Sequence, residues 1–343
     1  MSKMQRHKLF LLTIVLILMH VVVIFAGFVA PYDAATQNRE LAFAPPTKIH
    51  FTDPAGHFTW GPFVHIWKGD EAGANYQEDS SPGFPLRFFV HGDHYRIAGV
   101  TTTIHLFGVD SPSSIFVLGT DSFGRDVFSR TLYGGQISLL AGLIATSITL
   151  LLGSFLGGLA GFYGGWLDDT LMRVADLFLA LPWLYLLFAV RAFLPLQMEP
   201  LQAFLVLVIV IGAVGWARPA RLVRGVVLSA RERNYVHAAR GFGASDGYIV
   251  WRHILPSVTG VILTQASLLV PQYVMAEITL SFLGLGVGEP VPTWGNMLNS
   301  LMQMSVLQSY WWMIAPALLA IPFFLGYQFL GSMLGKHVAR VEQ

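Results

Sequence analysis

The chain has 343 residues, of which 54% are hydrophobic and only 12% are charged. Soluble domains carry roughly 25% charged residues, so this composition excludes an ordinary soluble protein and indicates a polytopic membrane protein. The formal net charge of +1 argues against nucleic acid as a partner, and the absence of cysteine excludes disulfides, thiol catalysis and thiolate metal sites.

Six apolar segments predict six transmembrane helices, because about 20 apolar residues cross the hydrocarbon core of a bilayer. The segments are residues 9–30, 136–160, 171–194, 201–217, 258–286 and 309–330. The first has an apolar run of about 22 residues, longer than the roughly 7–15 of a signal-peptide core, so we expect an uncleaved anchor.

The placement of Lys and Arg predicts the orientation, since these residues are enriched in short cytoplasmic loops. With the N-terminus inside, the seven arginines of residues 218–252 are cytoplasmic, as are Lys336 and Arg340. Residues 31–130 then lie outside and carry seven Lys or Arg against eleven acids. We therefore expect both termini in the cytoplasm.

These elements divide the chain into four expected regions. They are a cytoplasmic N-terminus with the first anchor at 1–30, an extracytoplasmic insert at 31–130, a core of five transmembrane helices at 131–335 with a polar cytoplasmic loop at 218–256, and a cytoplasmic tail at 336–343.

The outside insert is too long for a simple connection, and its residues predict a small β-structure. Residues 86–90 and 94–99 predict a hairpin around HGD at 91–93, and residues 101–109 predict a third strand. Six of the eleven histidines fall here without HxH or HExxH spacing, so scattered surface histidines are favoured over a metal site. They are His50, His57, His65, His91, His94 and His105.

Three features stand out within the membrane segments. Gly153, Gly157 and Gly161 form two overlapping GxxxG steps, a strip that lets a neighbouring helix approach closely. Pro182 predicts a kink in the third segment. Glu277 and Asp176 are acids in or near spans, where a charge is costly, so each either faces a polar path or has a polar partner. For Asp176 such a partner is Arg173, three residues earlier, or a group on another helix.

The longest polar gap of the second half predicts two short helices. Ser229 and Glu232 have capping-box spacing, so a helix is expected to start at Ser229. Gly241 and Gly243 are expected to end this helix, because glycine accepts the left-handed cap conformation. Its apolar residues recur at helical spacing and form a face of small side chains; they are Tyr235, Ala238, Ala239 and Phe242.

A second short helix follows the bend. Ser245 is expected to cap it, the helix carries Tyr248, Trp251 and Leu255, and Pro256 is expected to stop it. A face of alanines lets the backbone sit deep in a groove of another protein. The alternative is an amphipathic helix that lies on anionic lipid, which the surrounding arginines would suit.

The gap resembles the EAA loop of the permeases of ABC importers. Ala238 and Ala239 match the alanines, Gly243 follows Ala239 by four residues, and Leu255-Pro256 fall at the closing positions. The sequence departs from the pattern at His237, where an acid is frequent, and at His253, where the pattern has isoleucine.

Three further stretches are similar to the second-subunit (C-type) branch of dipeptide and oligopeptide permeases. They are LGTDSFGRDVFSRTLYGGQISL at 118–139, MRVADLFLALP at 172–182 and AEITLSFLGLGVGEPVPTWGNML at 276–298. The insert at 31–117 is longer than is typical of that branch, and the C-terminal segment lacks its usual tail.

The resemblance implies an all-α membrane protein of type I ABC importer architecture, with a small β-containing insert, in a bacterial inner membrane. It implies transport rather than enzyme activity, by alternating access, with peptides as substrates. The implied partners are a homologous second permease, two ATPases that bind ATP and Mg, and an extracytoplasmic binding protein. The chain itself has no GxxxxGK[ST] motif for ATP.

The resemblance also implies which residues contact an ATPase. They are Tyr235, His237, Ala238, Ala239, Arg240, Gly243, Ala244, Leu255 and Pro256. Glu277 and Asp176 are the candidates for the polar path. One alternative is the same architecture importing nickel chelates or glycosides. Another is a membrane enzyme using Glu277 and Asp176, but HExxH and GxSxG are both absent.

Overall fold

The computed structural model describes residues 3–52, 58–69, 75–79, 83–97, 99–193, 195 and 198–341. The chain divides into two compact units, which are described separately. The first unit contains Met1–Leu16, Leu139–Glu277 and Phe323–Gln343, and the second contains Ile17–Ser138 and Ile278–Pro322.

Helices dominate the described residues. In chain order they are α1 (Lys3–Ile24), α2 (Ala26–Val29), α3 (Val127–Tyr163), α4 (Gly165–Ala180), α5 (Trp183–Phe193), α6 (Pro200–Val214), α7 (Ala217–Arg231), α8 (Asn234–Gly241), α9 (Asp246–Ile249), α10 (Leu255–Phe282), α11 (Trp294–Asn299), α12 (Met304–Ser309) and α13 (Ala315–Val341). Short 3₁₀ turns lie at Arg39–Leu41, Ser300–Met302 and Trp311–Ile314, and a π-helical segment at Val250–Ile254.

The predicted membrane segments all form apolar helices. In the part of the chain that the structure describes, four helical stretches are long and apolar enough to cross a bilayer: Val127–Tyr163, Pro200–Arg231, Asp246–Phe282 and Trp311–Gly335. The pair α4 and α5 makes a fifth if counted as one span; it is bent by 87° at a break that contains Pro182. In α1 the apolar part is shorter, Phe10–Ile24. The prediction of a helical multi-pass protein with a small β-containing insert is confirmed.

In the first unit, the glycine strip of α3 faces α7. A Cβ at Gly153 would lie 2.8 Å from Pro219 Cβ, and one at Gly161 would lie 2.8 Å from Val227 Cβ. At Gly157 a Cβ would collide with the carbonyl oxygen of Ala220. Backbones this close leave no room for a side chain, so the strip holds α3 directly against α7.

Among the described residues of the second unit, seven strands form three small antiparallel sheets. The strands are β1 (His50–Thr52), β2 (Phe58–Val64), β3 (Trp67–Gly69), β4 (Tyr76–Glu78), β5 (Phe84–Pro85), β6 (Arg87–Ile97) and β7 (Val100–Gly108). The strand orders are β1-β2-β5, β3-β4 and β6-β7.

The predicted hairpin around HGD is wrong. Residues 87–97 form the single strand β6, which pairs with β7 from Arg87↔Gly108 to Ile97↔Val100. HGD is instead a bulge, where the register shifts between His91 and Tyr95. The bulge is stabilised from outside the hairpin, because Asp93 Oδ2 accepts hydrogen bonds from Asp33 N at 2.9 Å and from Thr36 Oγ1 at 2.9 Å.

The insert histidines have individual structural environments. His105 is buried, and its Nδ1 and Nε2 lie 2.6 Å and 2.9 Å from the carbonyl oxygens of Ala30 and Asp93. His50 Nε2 lies 3.1 Å from Glu78 Oε1. His57 lies outside the described residues. Within the described ranges, no group of three or more His, Asp or Glu side chains is arranged to hold a metal ion.

Candidate docking loop between two membrane helices

Residues 232–256, here called the polar loop, follow α7 and lead into α10. The predicted helix start at Ser229 is wrong, because Ser229 lies in the last turn of α7 and Glu232 is the C-cap of that helix. Buried Ala230 continues the helical spacing of buried Val223 and Val227 past the point where a new cap was expected. The next helix, α8, begins at Asn234.

The bend after α8 is a Schellman motif centred on Gly243. This residue has φ of +80°, the left-handed conformation that glycine adopts without strain. Ala244 N donates to Ala239 O at 3.0 Å, and Gly243 N donates to Arg240 O at 2.9 Å. The bend therefore depends on the backbone of Gly243 and not on space around it, since a Cβ there would meet nothing within 4 Å.

The second short helix, α9, begins at Ser245, whose Oγ accepts a hydrogen bond from Tyr248 N at 3.4 Å. The expected stop at Pro256 is wrong, because helical backbone continues without a break from Asp246 to Phe282. Proline has no N–H to donate, and the π-helical segment at Val250–Ile254 precedes it. In that segment Leu255 N bonds to Val250 O, five residues back, so the helix passes through Pro256 instead of ending there.

An apolar cluster fixes the polar loop to α3 and α7. Val236, Ile249 and Ile254 are buried with Phe162 of α3 and Val223 of α7. Ala239 and Ala244 pack against the same cluster. Several buried side chains meet here from both short helices, so the loop and the two long helices are expected to move together.

Two arginines also connect the polar loop and the end of α7 to the end of α3. Arg231 Nη1 donates to Gly161 O at 3.1 Å, at the end of α3. The guanidinium of Arg240 lies over the ring of Phe162, 5.5 Å from its centroid, a cation–π geometry. Arg240 is therefore oriented by a contact within the chain, and it is exposed. Its predicted contact with another protein stays a prediction.

The opposite side of the polar loop is exposed and aromatic. Phe242 is 93% exposed, Trp251 is 74% exposed and Tyr235 is 48% exposed, and Ala238 lies on the same exposed side of α8. Of the predicted apolar face, Ala239 alone turns inward. Large apolar side chains held this far into solvent on a rigid support are typical of a protein interaction site.

His237 lies beside an acid contributed by the preceding turn. Its Nε2 is 3.7 Å from Glu232 Oε2, and Glu232 Oε1 accepts a hydrogen bond from Arg231 Nε at 3.1 Å. His253 packs between two tyrosines, with ring centroids 5.5 Å from Tyr235 and 5.8 Å from Tyr248. A carboxylate is therefore present at this surface although His237 replaces the usual acid.

The two membrane acids are placed differently. Asp176 pairs with Arg221 of α7, so the local pair with Arg173 is not formed. One turn further, Arg224 Nη2 donates to Asp168 Oδ2 at 2.6 Å, giving α4 and α7 a second ion pair. Glu277 is 3% exposed. Neither Asp176 nor Glu277 lines the cavity described next.

A cavity of about 170 Å³ lies where the α4–α5 break meets α6, α7 and α10. Its polar lining includes Arg218, Gln272 and Tyr273, and the remainder is mostly apolar. The hydroxyl of Tyr273 is 2.8 Å from Thr149 Oγ1, which donates to Gly212 O at 2.7 Å. The sequence predictions missed these residues, because they lie on different helices, with Thr149, Arg218 and Gln272 more than fifty positions apart in the sequence. Only the packing of the helices brings them together.

Motif residues of the second unit form an ion cluster, consisting of Asp121, Arg125, Arg130 and Glu289. The first three side chains are buried, and the Glu289 side chain is 48% exposed. Arg125 donates to Glu289 Oε2 at 2.6 Å and to Asp121 Oδ2 at 2.7 Å. Arg130 donates to Glu289 Oε1 at 3.1 Å. Burial alone would raise the pKa of the Glu289 carboxyl, but the two arginines outweigh it and hold that pKa below its ordinary value. The cluster joins residues about 160 positions apart.

Asp126 lies next to this cluster and has the opposite shift. Burial raises its pKa from 3.8 to about 7, and the charge of Asp121 adds to the effect. Hydrogen bonds to Oδ2 from Ser129 N at 2.8 Å and Ser129 Oγ at 2.6 Å offset part of it. This carboxyl therefore changes charge near neutral pH.

Comparison with known proteins shows which family the chain belongs to. Residues 128–340 match the family of binding-protein-dependent transport system inner membrane components. The chain is 39% identical over 201 residues to the dipeptide transport system permease protein DppC of Bacillus subtilis, covering 59% of this chain and 61% of that protein. It is 38% identical over 225 residues to the glutathione transport system permease protein GsiD of Pectobacterium atrosepticum, covering 66% and 72%.

Among solved structures, the chain is similar to a chain of the inward-facing MetNI methionine ABC transporter, at 17% identity and a TM-score of 0.44, covering 60% of this chain and 94% of that one. The match with the dipeptide relative spans less than two thirds of that relative, whereas the family match takes in α3 to α13, including the polar loop. The chain therefore belongs to the family of binding-protein-dependent transport system inner membrane components.

Proposed function

We propose that this chain is the permease subunit of an ATP-driven importer, and that it moves di- or oligopeptides toward the cytoplasm by alternating access. The observation that carries the proposal is the polar loop, a rigid bend that exposes Phe242 and Trp251 while its inner face is fixed to two membrane helices. Similarity to dipeptide and glutathione permeases favours peptides over nickel chelates or glycosides as the substrate.

The proposed complex has a second, homologous permease, two ATPases and an extracytoplasmic binding protein. ATP and Mg bind to the ATPases. The complex lies in a bacterial inner membrane with both termini of this chain in the cytoplasm, which agrees with the distribution of Lys and Arg. The ATPase groove then receives the exposed face of the polar loop from the cytoplasm.

The geometry of the first unit suggests how motion is transmitted. The polar loop packs on Val223 and Val227 in α7, and the other end of α7 carries Arg218 in the wall of the cavity. Nine residues separate Arg218 from Val227, about 13 Å along a helix. Because α3 lies directly against α7 along its glycine strip, the two helices move as one piece. A displacement of the loop then changes the shape of the cavity wall.

Substitution of Phe242 tests the proposal. Phe242→Asp puts a charge at a position that is 93% exposed, so folding and membrane insertion should be unaffected. We expect the variant to lose co-purification with the ATPases and to lose peptide uptake, because hot-spot aromatic residues supply much of the affinity of an interface.

Trp60→Asp is the matched control, since Trp60 is 94% exposed and lies in β2 of the other unit. This control should retain ATPase co-purification. Normal co-purification and uptake by Phe242→Asp would contradict the assignment of the polar loop. Uptake of a nickel chelate in preference to peptides would leave the loop assignment intact and overturn the substrate.

A further inference from the structure

The described residues at the tip of the β6–β7 hairpin are Ile97, Gly99 and Val100; Ile97 is partly buried and the other two are exposed. The last strand pair is Ile97↔Val100, and Gly99 turns the chain with φ of +87°. Val100 is 67% exposed. Val100 therefore exposes an aliphatic side chain to whatever surrounds the tip.

The hairpin lies along the end of α1 and points back toward its apolar part. His105 contacts the carbonyl oxygen of Ala30, just after α2. Closer to the tip, the ring of Tyr95 packs against Gly27. Closer still, Ile97 lines a groove whose helical wall extends back to Val21. Ala30 lies nine residues after Val21, and all but Phe25 and Ala30 in this stretch are helical, so the rise is about 13 Å. The tip is therefore directed toward the apolar part of α1.

The groove has a volume of about 510 Å³ and a continuous apolar lining. Its residues are Val21, Val22, Phe25, Phe28, Val29, Tyr95 and Ile97. The hydroxyl of Tyr95 is satisfied, because it donates to Ile104 O. On the outer side of the helix, Val21, Ile24 and Phe25 are exposed. The apolar surface of the helix, which needs a bilayer to cover it, therefore continues without a break into the groove and the tip.

Backbone hydrogen bonding limits how deep the tip can lie. A two-stranded ribbon has unpaired edges, and such edges are not found facing lipid in the hydrocarbon core. The boundary between headgroups and acyl chains is allowed, where interfacial elements are buried by about 5–10 Å. Arg96, next to the tip, is exposed and is suited to a lipid phosphate at that level.

We propose that the β6–β7 tip and the groove beside α1 bind lipid in the leaflet where α1 ends, with acyl chains in the groove and Arg96 at the phosphates. This surface is independent of the polar loop and of the transported substrate. It gives the insert a lipid contact that anchors it beside the membrane.

The absence of cysteine makes the test direct, because single cysteines can be introduced into the full chain without removing others. Val100→Cys carries an environment-sensitive fluorophore at the tip. Lys68→Cys is the matched control, since the Lys68 side chain in β3 is 66% exposed and pairs with Asp79. Both variants are reconstituted in liposomes that contain lipids spin-labelled close to the headgroup end of the acyl chain.

We expect the label at residue 100 to be quenched by the spin-labelled lipids and to be several-fold less accessible to aqueous iodide than the label at residue 68. Equal iodide quenching at both positions, without lipid quenching at residue 100, would overturn the proposal. Protection of residue 100 that needs added partner subunits and occurs without lipid quenching would also overturn it, because a protein would then cover the tip. With Arg96→Gln, the lipid quenching should weaken in anionic vesicles.

Discussion

The polar loop and the ion cluster are both built from motif residues, but they place these residues in opposite environments. The loop exposes Phe242 and Trp251 and buries the aliphatic side chains beneath them. The ion cluster buries its cations, with Arg125 and Arg130 almost inaccessible to solvent. A sequence motif therefore marks either a surface that binds a partner or a set of contacts inside the chain. Only the burial of its side chains in the folded structure distinguishes the two.

The largest expected effect on stability comes from removing a shared acid of the ion cluster. Glu289→Ala removes one of the two carboxylates that Arg125 and Arg130 share and leaves Asp121 to two buried cations. Breaking a buried pair costs about 3–5 kcal/mol, and we expect the lower end of this range because Asp121 remains and the Glu289 side chain is 48% exposed. We expect a marked loss of folded protein in detergent, measured by thermal unfolding.

Glu232→Ala in the polar loop is the control for this comparison. Glu232 also bonds to an arginine, but its side chain is largely exposed, and exposed pairs contribute about 0–1 kcal/mol. A destabilisation by Glu232→Ala equal to that by Glu289→Ala would mean that burial does not separate the two regions.

The next effect concerns the bend of the polar loop. Gly243→Val forces a β-branched residue into the left-handed conformation, which costs roughly 1–2 kcal/mol, so the two short helices should lose their relative angle. We expect peptide uptake to fall strongly while membrane insertion is unchanged. Gly243→Asn should retain more uptake, because asparagine tolerates this conformation.

Gly241→Ala is the matched control for the bend, since Gly241 is helical and a Cβ there meets nothing within 4 Å. It should transport normally. If Gly243→Val and Gly241→Ala behaved alike, the Schellman geometry would have no part in coupling.

A smaller effect is expected from the carboxyl next to the ion cluster. The folded pKa of Asp126, about 7, lies above the ordinary value of 3.8, so the protonated form favours the folded state. The contribution is present below the ordinary value and is lost as pH rises to about 7, by about 1.4 kcal/mol per pH unit in that window. Glu289 has the opposite sign, and its contribution is lost as pH falls.

Thermal unfolding of the purified chain between about pH 5 and pH 8 measures this dependence. Asp126→Asn should reduce the loss of stability with rising pH, since the amide oxygen still accepts from Ser129 while the charge is removed. An unchanged pH profile in Asp126→Asn would assign the dependence to other groups.

The sequence predicted most of the local structure in the first unit, because local signals decide it. Gly243 and Ser245 specify the bend and the cap through their own backbone preferences. The errors at Ser229, an expected start, and at Pro256, an expected stop, have one cause. Each local boundary signal lies within a helix that continues for other reasons. At Ser229 these reasons are the buried positions of α7, and at Pro256 the π-helical segment.

In the second unit the decisive contacts are long-range and were not predictable from spacing. The HGD residues look like a turn, but Asp93 is held by Asp33 and Thr36, about sixty positions earlier. Glu289 joins Arg125 and Arg130 across about 160 positions. No periodicity marks such pairs, so the 118–139 and 276–298 motifs were recognised without revealing that they are in contact.

The smallest expected effect tests the histidine that replaces the usual acid. His237→Glu would place a second carboxylate close to Glu232, which lies 3.7 Å from His237 Nε2. At an exposed site the repulsion should cost at most about 1 kcal/mol, so we expect a modest decrease in ATPase co-purification. Adding Glu232→Gln removes the repulsion and should restore binding. The double-mutant cycle then measures the coupling between the two positions. Additive effects of the two substitutions would show that His237 and Glu232 act independently. Glu232 would then not take over the role of the acid that relatives frequently have at the position of His237.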